Sequence, residues 1–255
     1  MAASCVVAIH QPNFMPWLGF FHKMSCADVF ILLDTVPFTK NSYQNRVRIK
    51  TARGEQWLTV PVLTKGRFGQ LTNEVEINAA TGWQRTHLAT LHTNYGRATH
   101  LIEIMAWLAP LYEDTPPLLA TFCRGIIEAI HQRLGLHAEL VLASSLGCSG
   151  AGSELLLRLV QAVGGDLYLS GPSGRSYLDI ALFEEAGVAV QFHDFHHPSY
   201  PQLFGDFVSG LSIIDLFMNV GIAGAMGYFP PAALPNIVAA QTMQANTPLP
   251  PEERR

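Results

Sequence analysis

With 255 residues, 49% hydrophobic and only 14% charged, the chain is long enough to bury a sizeable core and more apolar than an ordinary soluble surface requires. A net charge of -4 and a pI near 6.2 leave no basic field to hold a phosphate backbone, which argues against nucleic acid as the main partner and leaves small anions bound at local sites. Met1 to Ser4 lacks a charged start leading into a long apolar run, and no later apolar segment reaches roughly 18 residues unbroken, so the expectation is a cytoplasmic protein without a membrane span.

Val6 to Ile9 reads as a buried strand and Pro16 to Cys26 as a helix opened by a proline in its first turn; Asp28 to Leu33 is a second strand that ends at Asp34. That βαβ order places the His10 loop and Asp34 at one sheet edge, the carboxyl end where α/β proteins bind ligands. Asn45 to Lys50 and Gln56 to Val62 alternate around Arg53-Gly54 and predict a hairpin standing over those strand ends. Leu63 to Leu71, with Gly66, Gly69, Lys65 and Arg67, reads as a mobile connection or lid. Helical periodicity follows over Trp83 to Asn94, Leu101 to Tyr112 and Leu118 to Leu134, where His87, His92 and His131 are read as partly buried helix residues.

Glu139 to Ala143, Asp166 to Ser170 and Val188 to Phe192 read as strands, separated by a helix Ser153 to Val163 capped by Ser153 and a helix Ser176 to Glu185 opened by Gly171-Pro172-Ser173-Gly174. A closing helix spans Ile213 to Asn219. The expectation is a single doubly wound α/β domain over 1–245 with a mostly parallel sheet. It comprises an N-terminal βαβ plus hairpin (1–80), a helical segment (81–136) and a C-terminal βαβαβ with closing helices (137–245), followed by a disordered tail (246–255).

I-H-Q-P-N-F-x-P-W-x-G-F-F-x-K from Ile9, A-D-V-F-x-x-L-D from Ala27 and Y-Q-N-R-V-R-I-K from Tyr43 together resemble the WbqC-like protein family. So do Tyr168 to Gly174 with Tyr177-Leu178-Asp179, Tyr200-Pro201-Gln202, and Leu211 to Asp215 with Asn219 and Gly221. The resemblance implies a place in bacterial surface polysaccharide and O-antigen pathways, where transfer of glycine or another small acyl group to a sugar has been suggested for members. The sequence departs from the family's pattern at Val190 to His197, which is unusually rich in histidine. A looser similarity of plan, a strand end followed by a Pro-x-x-Gly-aromatic helix start, is to nucleotidyltransferases of the HIGH-motif type such as pantothenate synthetase, although Phe14 to Phe20 has no second histidine.

His10 is the candidate general base, or a binder of phosphate or carbonyl oxygen, because it lies at a strand end beside a helix N-terminus; the alternative is a histidine that merely orients its loop. Gln11 and Asn13 would bind substrate oxygens and Trp17 would wall the pocket. Lys23 is expected to lie away from the site, solvated or paired with Asp28. Asp34 would orient His10 or accept a substrate amine, unless it caps its loop. Asn41, Tyr43, Asn45 and Arg46 add donors, and Arg46, Arg48 and Lys50 share one strand face as a cationic stripe. Ser170 and Gly171 belong to a loop whose free amides suit an anion, with Tyr177 close by in the first helical turn; Tyr200, Gln202, Asp215 and Asn219 would close the cleft from the other half.

His193-Asp194-Phe195-His196-His197 invites a metal reading, but no further spaced cluster supports it and no metal site is assigned. Cys5, Cys26 and Cys123 read as reduced core thiols, and Cys148 as the cysteine nearest an obvious strand-end loop. The functional expectation is a transferase joining a small acyl or aminoacyl group to an amino sugar or related amine. An ATP-dependent carboxylate-activating ligase and a non-catalytic nucleotide-sugar binding protein stand as alternatives. No cofactor is firmly implied, ATP or a nucleotide-linked or thioester donor being compatible; the partner is a small-molecule substrate, and a homo-oligomer is left open.

Overall fold

The structure is a computed structural model that describes residues 4–229. The tail expected over 246–255 and the domain end at 245 lie outside the described residues. Five strands form one parallel sheet in the order β5-β2-β1-β6-β7: β1 is Val6–His10, β2 Val29–Leu32, β5 Glu139–Leu142, β6 Leu167–Ser170 and β7 Ala189–Phe192. A separate antiparallel pair, β3 (Arg46–Thr51) and β4 (Gly54–Thr59), makes the hairpin. The fold is α/β, with a mostly apolar parallel sheet covered on both faces as such sheets require.

Period-two alternation divides the core. Val6 and Ala8 of β1, Phe30 and Leu32 of β2, and Leu167 and Leu169 of β6 join the cluster that holds Phe20, Phe21 and Met24 of helix α1 (Leu18–Ser25). Val7, Ile9, Val29, Ile31 and Tyr168 face the other way, onto Leu155 and Leu159 of α5 (Gly152–Ala162) and Phe183 of α6 (Ile180–Glu185). The first cluster also takes in the hairpin and the helices α2 (Trp83–Tyr95), α3 (Leu101–Glu113), α4 (Leu119–Leu134) and α7 (Ile213–Ala225).

From β1 the chain crosses to β2 on one side, whereas from β6 it crosses to β7 on the other. Neighbouring strands β1 and β6 therefore lead away in opposite directions, and a crevice opens between their carboxyl ends.

Four local readings are corrected. Helix α1 begins at Leu18, and Pro16 lies in the turn before it, where its carbonyl accepts from the Ile213 amide at 2.9 Å. Ser153 does not cap α5, because its hydroxyl accepts from the Asp179 amide at 3.0 Å. The segment after β6 is a 3-10 turn, Pro172–Ser176, and α6 starts only at Ile180 with Asp179 as its cap, so Tyr177 lies before the helix. Helix α7 continues past Asn219 through a kink at Gly221 (φ 73°), where an added Cβ would stand 2.6 Å from the His100 ring. The segment read as a lid is tied down by Arg67–Glu76 at 2.7 Å and by the Phe38 amide on Gln70 at 2.9 Å.

Candidate functional site

A cavity of about 280 Å³ lies in the crevice between β1 and β6. Its walls are Ile9, His10 and Gln11 from β1 and its exit, Lys23 from α1, Tyr168 from β6, Gly171, Ser173 and Tyr177 from the following turn, and Leu33 and Leu156. Four sequence candidates, His10, Gln11, Gly171 and Tyr177, are thus brought together. Ser173 belongs to the same expected anion-binding loop as Gly171, whereas Lys23 and Tyr168 are lining residues that sequence reasoning did not place there.

His10 ends β1 with its ring edge-on to Phe20, centroids 4.8 Å apart. Its Nδ1 lies 3.0 Å from the Gln11 carbonyl oxygen. A carbonyl only accepts, so Nδ1 carries the hydrogen and Nε2 holds the lone pair. Burial, reinforced by the positive charge of Lys23, pushes His10 down to about 3, so the ring is neutral at physiological pH.

Lys23 is only 4% exposed. Its ammonium donates to the Ile9 carbonyl at 2.8 Å and lies 5.8 Å from the Phe30 ring centroid, and burial pushes it down to about 7. The expected partner, Asp28, instead accepts from the Val6 amide at 2.7 Å. Among the described residues no carboxylate pairs with Lys23, and none lines the cavity. The lining set therefore suits a carboxylate, a phosphate or a polarised carbonyl, and offers no oxygen cage for a divalent cation.

The opposite wall depends on glycine. A Cβ on Gly174 would stand 2.2 Å from Ser170 Oγ and 2.9 Å from Leu178 Cδ1, so only glycine lets the turn fold flat onto the end of β6. Ser170 is fully buried beneath this turn, its hydroxyl donating to the Gly171 carbonyl at 3.2 Å. It supports the wall without lining it. Tyr177 stands exposed at the mouth.

The remaining candidates go elsewhere. Asp34 does not reach His10: its carboxylate accepts from the Ser144 amide at 2.9 Å and hydroxyl at 2.6 Å, tying the exits of β2 and β5. Asn13 is buried and outside the lining. Trp17 lies over Gly19, whose added Cβ would fall 2.3 Å from the indole, and meets Phe195 and His197 at 5.4 and 6.1 Å. Asn41 is exposed with φ 60°, and Tyr43 is exposed beside Trp57. Asn45 is buried, donating to the Val60 carbonyl at 3.0 Å.

The cationic stripe is dismantled by its neighbours. The Arg46 guanidinium stacks 4.1 Å from the Trp57 ring, Arg48 pairs with Glu55 at 2.6 Å, and Lys50 is buried, donating to Gln202 Oε1 at 3.1 Å and to the Asp206 carbonyl. Tyr200, Gln202, Asp215 and Asn219 do not close the cleft either. The fully buried Asp215 carboxylate accepts from Tyr95 Oη at 2.7 Å and Tyr200 Oη at 2.9 Å, while Asn219 donates to the Asp215 carbonyl at 2.7 Å. Together they lock α7 to α2 and the hairpin.

The histidine string fans apart: His193 is buried against α1, His196 is exposed beside Asp194, and His197 Nδ1 donates to the Pro198 carbonyl at 2.9 Å. Cys148 contacts the Leu146 and Arg158 carbonyls at 3.7 Å and lies outside the cavity. His87 and His131 donate through Nε2 to the Thr59 and Ala138 carbonyls at 3.1 and 2.9 Å, as expected of buried helix residues, whereas His92 is exposed.

Fold and cavity together define a doubly wound α/β protein with a small polar site at its topological switch point. The chain belongs to the WbqC-like protein family, whose profile matches residues 11–226. It is 40% identical over 217 residues to a protein of Mycobacterium tuberculosis (strain ATCC 25618 / H37Rv) named "Uncharacterized protein Rv1507c", covering 84% of this chain and 94% of that relative. No solved structure matches the chain. Among the described residues no helix is long and apolar enough to cross a membrane.

Proposed function

We propose that the cavity between β1 and β6 is the reaction centre of a transferase that attaches a small acyl or aminoacyl group to an amino sugar or related amine during assembly of a bacterial surface polysaccharide or a natural product. The observation that carries the reading is the pairing, in one cavity, of a histidine with its Nε2 lone pair free and a buried lysine that has no carboxylate partner among the described residues. A volume of about 280 Å³ suits an acyl-sized group, with the bulk of donor and acceptor outside the mouth beside Tyr177.

In the proposed step the acceptor nitrogen attacks the acyl carbon and a C–N bond forms. Its proton passes to His10 Nε2, and the developing oxyanion faces the Lys23 ammonium. Collapse breaks the bond to the leaving sulfur or phosphate oxygen, which departs with the electron pair and takes the proton from His10. Asp34, held by Ser144, has no part in it.

The test incubates the purified protein with acyl and aminoacyl thioesters or phosphates and amino-sugar acceptors, reading the acceptor's mass gain. His10→Gln should lower turnover by roughly 10²–10⁴ with an unchanged circular dichroism spectrum. Wild-type turnover in that variant would remove the reading. Carboxylate-dependent pyrophosphate release would mark adenylation instead, and binding of a nucleotide-sugar without turnover would mark a binding protein.

A further inference from the structure

Where α1 meets the exit of β7, three side chains of metal-binding type converge. His22 Nδ1 lies 2.8 Å from His193 Nε2 and 3.9 Å from Cys26 Sγ, and all three atoms fall within 4.8 Å of one another. His22 and Cys26 are four apart, one turn along the same helix face, while His193 arrives from the exit of β7, 171 positions from His22. Phe195 packs against both imidazoles, its ring 4.8 Å from that of His22 and stacked at 6.0 Å on that of His193. His193 is buried, and His22 and Cys26 are partly so.

We infer that His22, Cys26 and His193 form a site for one divalent transition metal of the zinc class, with the fourth coordination position open to water. The donors decide the class: two imidazoles and a thiolate with no oxygen ligand suit zinc and cobalt and disfavour magnesium and calcium. Distances agree. Tetrahedral zinc with Zn–N near 2.0–2.1 Å and Zn–S near 2.3 Å holds its ligands about 3.3 Å apart for N···N and about 3.6 Å for N···S. The Cys26–His22 separation is already close to this, the two imidazoles need to part by about half an ångström, and Cys26 and His193, within 4.8 Å, need to close by up to about 1.2 Å.

The balance is simple. A metal dication enters, the Cys26 thiol releases its proton to solvent, and the hydrogen bond between the imidazoles is replaced by two metal–nitrogen bonds. The hydrogen on whichever nitrogen now donates moves, through solvent, to the other nitrogen of the same ring. The bound metal would join two elements that flank the β1–β6 cavity: α1, which carries Lys23 next to His22, and the β7 exit, where the His193 amide donates to the Ser170 carbonyl at 2.7 Å. The inference is independent of the transferase reading.

The test strips the full-length protein with a chelator and titrates it with Co²⁺, then Zn²⁺. One equivalent of cobalt should give a sulfur-to-cobalt charge-transfer band in the near ultraviolet, abolished by zinc and absent in Cys26→Ser. His22→Gln and His193→Gln should each weaken zinc binding at least tenfold. Zinc should also slow alkylation of Cys26 relative to Cys5 and Cys148 in the unmutated chain, mapped by peptide mass, a readout that survives if a variant fails to fold. Cobalt binding without the sulfur band, or undiminished zinc affinity in folded variants, or equal alkylation with and without zinc, would overturn the assignment.

Discussion

Removing a single oxygen separates a structural from a substrate-binding role for Tyr200. Its hydroxyl donates at 2.9 Å to Asp215, a carboxylate with no exposed surface whose other oxygen accepts from Tyr95 at 2.7 Å. Burial pushes the Asp215 carboxyl up, and the two phenols and the nearby Lys50 counter it. Tyr200→Phe keeps the ring packing against Phe207 at 5.2 Å and deletes one hydrogen bond to a charged acceptor, which should cost about 1.5–3 kcal/mol. Tyr95→Phe should fall at the upper end of that range, because the Lys50 amide, 3.3 Å from Tyr95 Oη, loses its acceptor too. Both phenols serve one buried carboxylate, so the double variant should cost more than the sum of the singles by about 0.5 kcal/mol or more. Urea unfolding followed by far-ultraviolet circular dichroism and tryptophan fluorescence measures all three. Turnover should be unchanged, since neither phenol lines the cavity. A Tyr200→Phe protein of normal stability that loses turnover would refute the argument and return Tyr200 to the substrate.

Asp34→Asn should be nearly silent, because an amide can still accept from the Ser144 amide and donate to its hydroxyl; loss of turnover with an intact fold would restore Asp34 as a catalytic group. The folded protein should lose stability in mild acid. Burial lowers His87 to about 4, below its ordinary 6.5, so the unfolded chain binds the proton first and stability falls as pH drops from 6.5 towards 4. At pH 5 that amounts to roughly 2 kcal/mol, and His87→Gln should remove that share of the loss measured by urea midpoints at pH 7.5 and 5. An acid dependence identical to wild type would count against it.

The sheet was legible because its strands are short apolar runs, and the position of His10 followed from the end of the first. Lys23 was not. Counting rise along the helix places it too far from Trp17, but a helical side chain leans towards the N-terminus, and a four-carbon stem carries the ammonium back to the Ile9 carbonyl at the strand end. Gln202 and Asp215 look like ligand-binding groups because only part of what holds them is near in sequence, the Val208 backbone for Gln202 and the Tyr200 hydroxyl for Asp215. Their other partners, Lys50 and Tyr95, stand over a hundred positions away, and pairing at that range leaves no trace in spacing. The His22–Cys26 spacing was visible as one helix turn, but its third member depends on where β7 ends.

The central strand waits long for its second neighbour. β1 pairs with β2 almost at once, yet its other edge belongs to β6, and the loop after it is held by the Ser212 hydroxyl on the Met15 carbonyl, 197 positions away. At ribosomal speeds of about 5–20 residues per second, some 160 residues take roughly 8–30 s to emerge. For that interval the nascent chain presents an unpaired, apolar strand edge, a template for association with other chains. Synthesis of this protein should therefore lean on chaperones, and its yield should respond to translation rate before it responds to the stability of the finished fold.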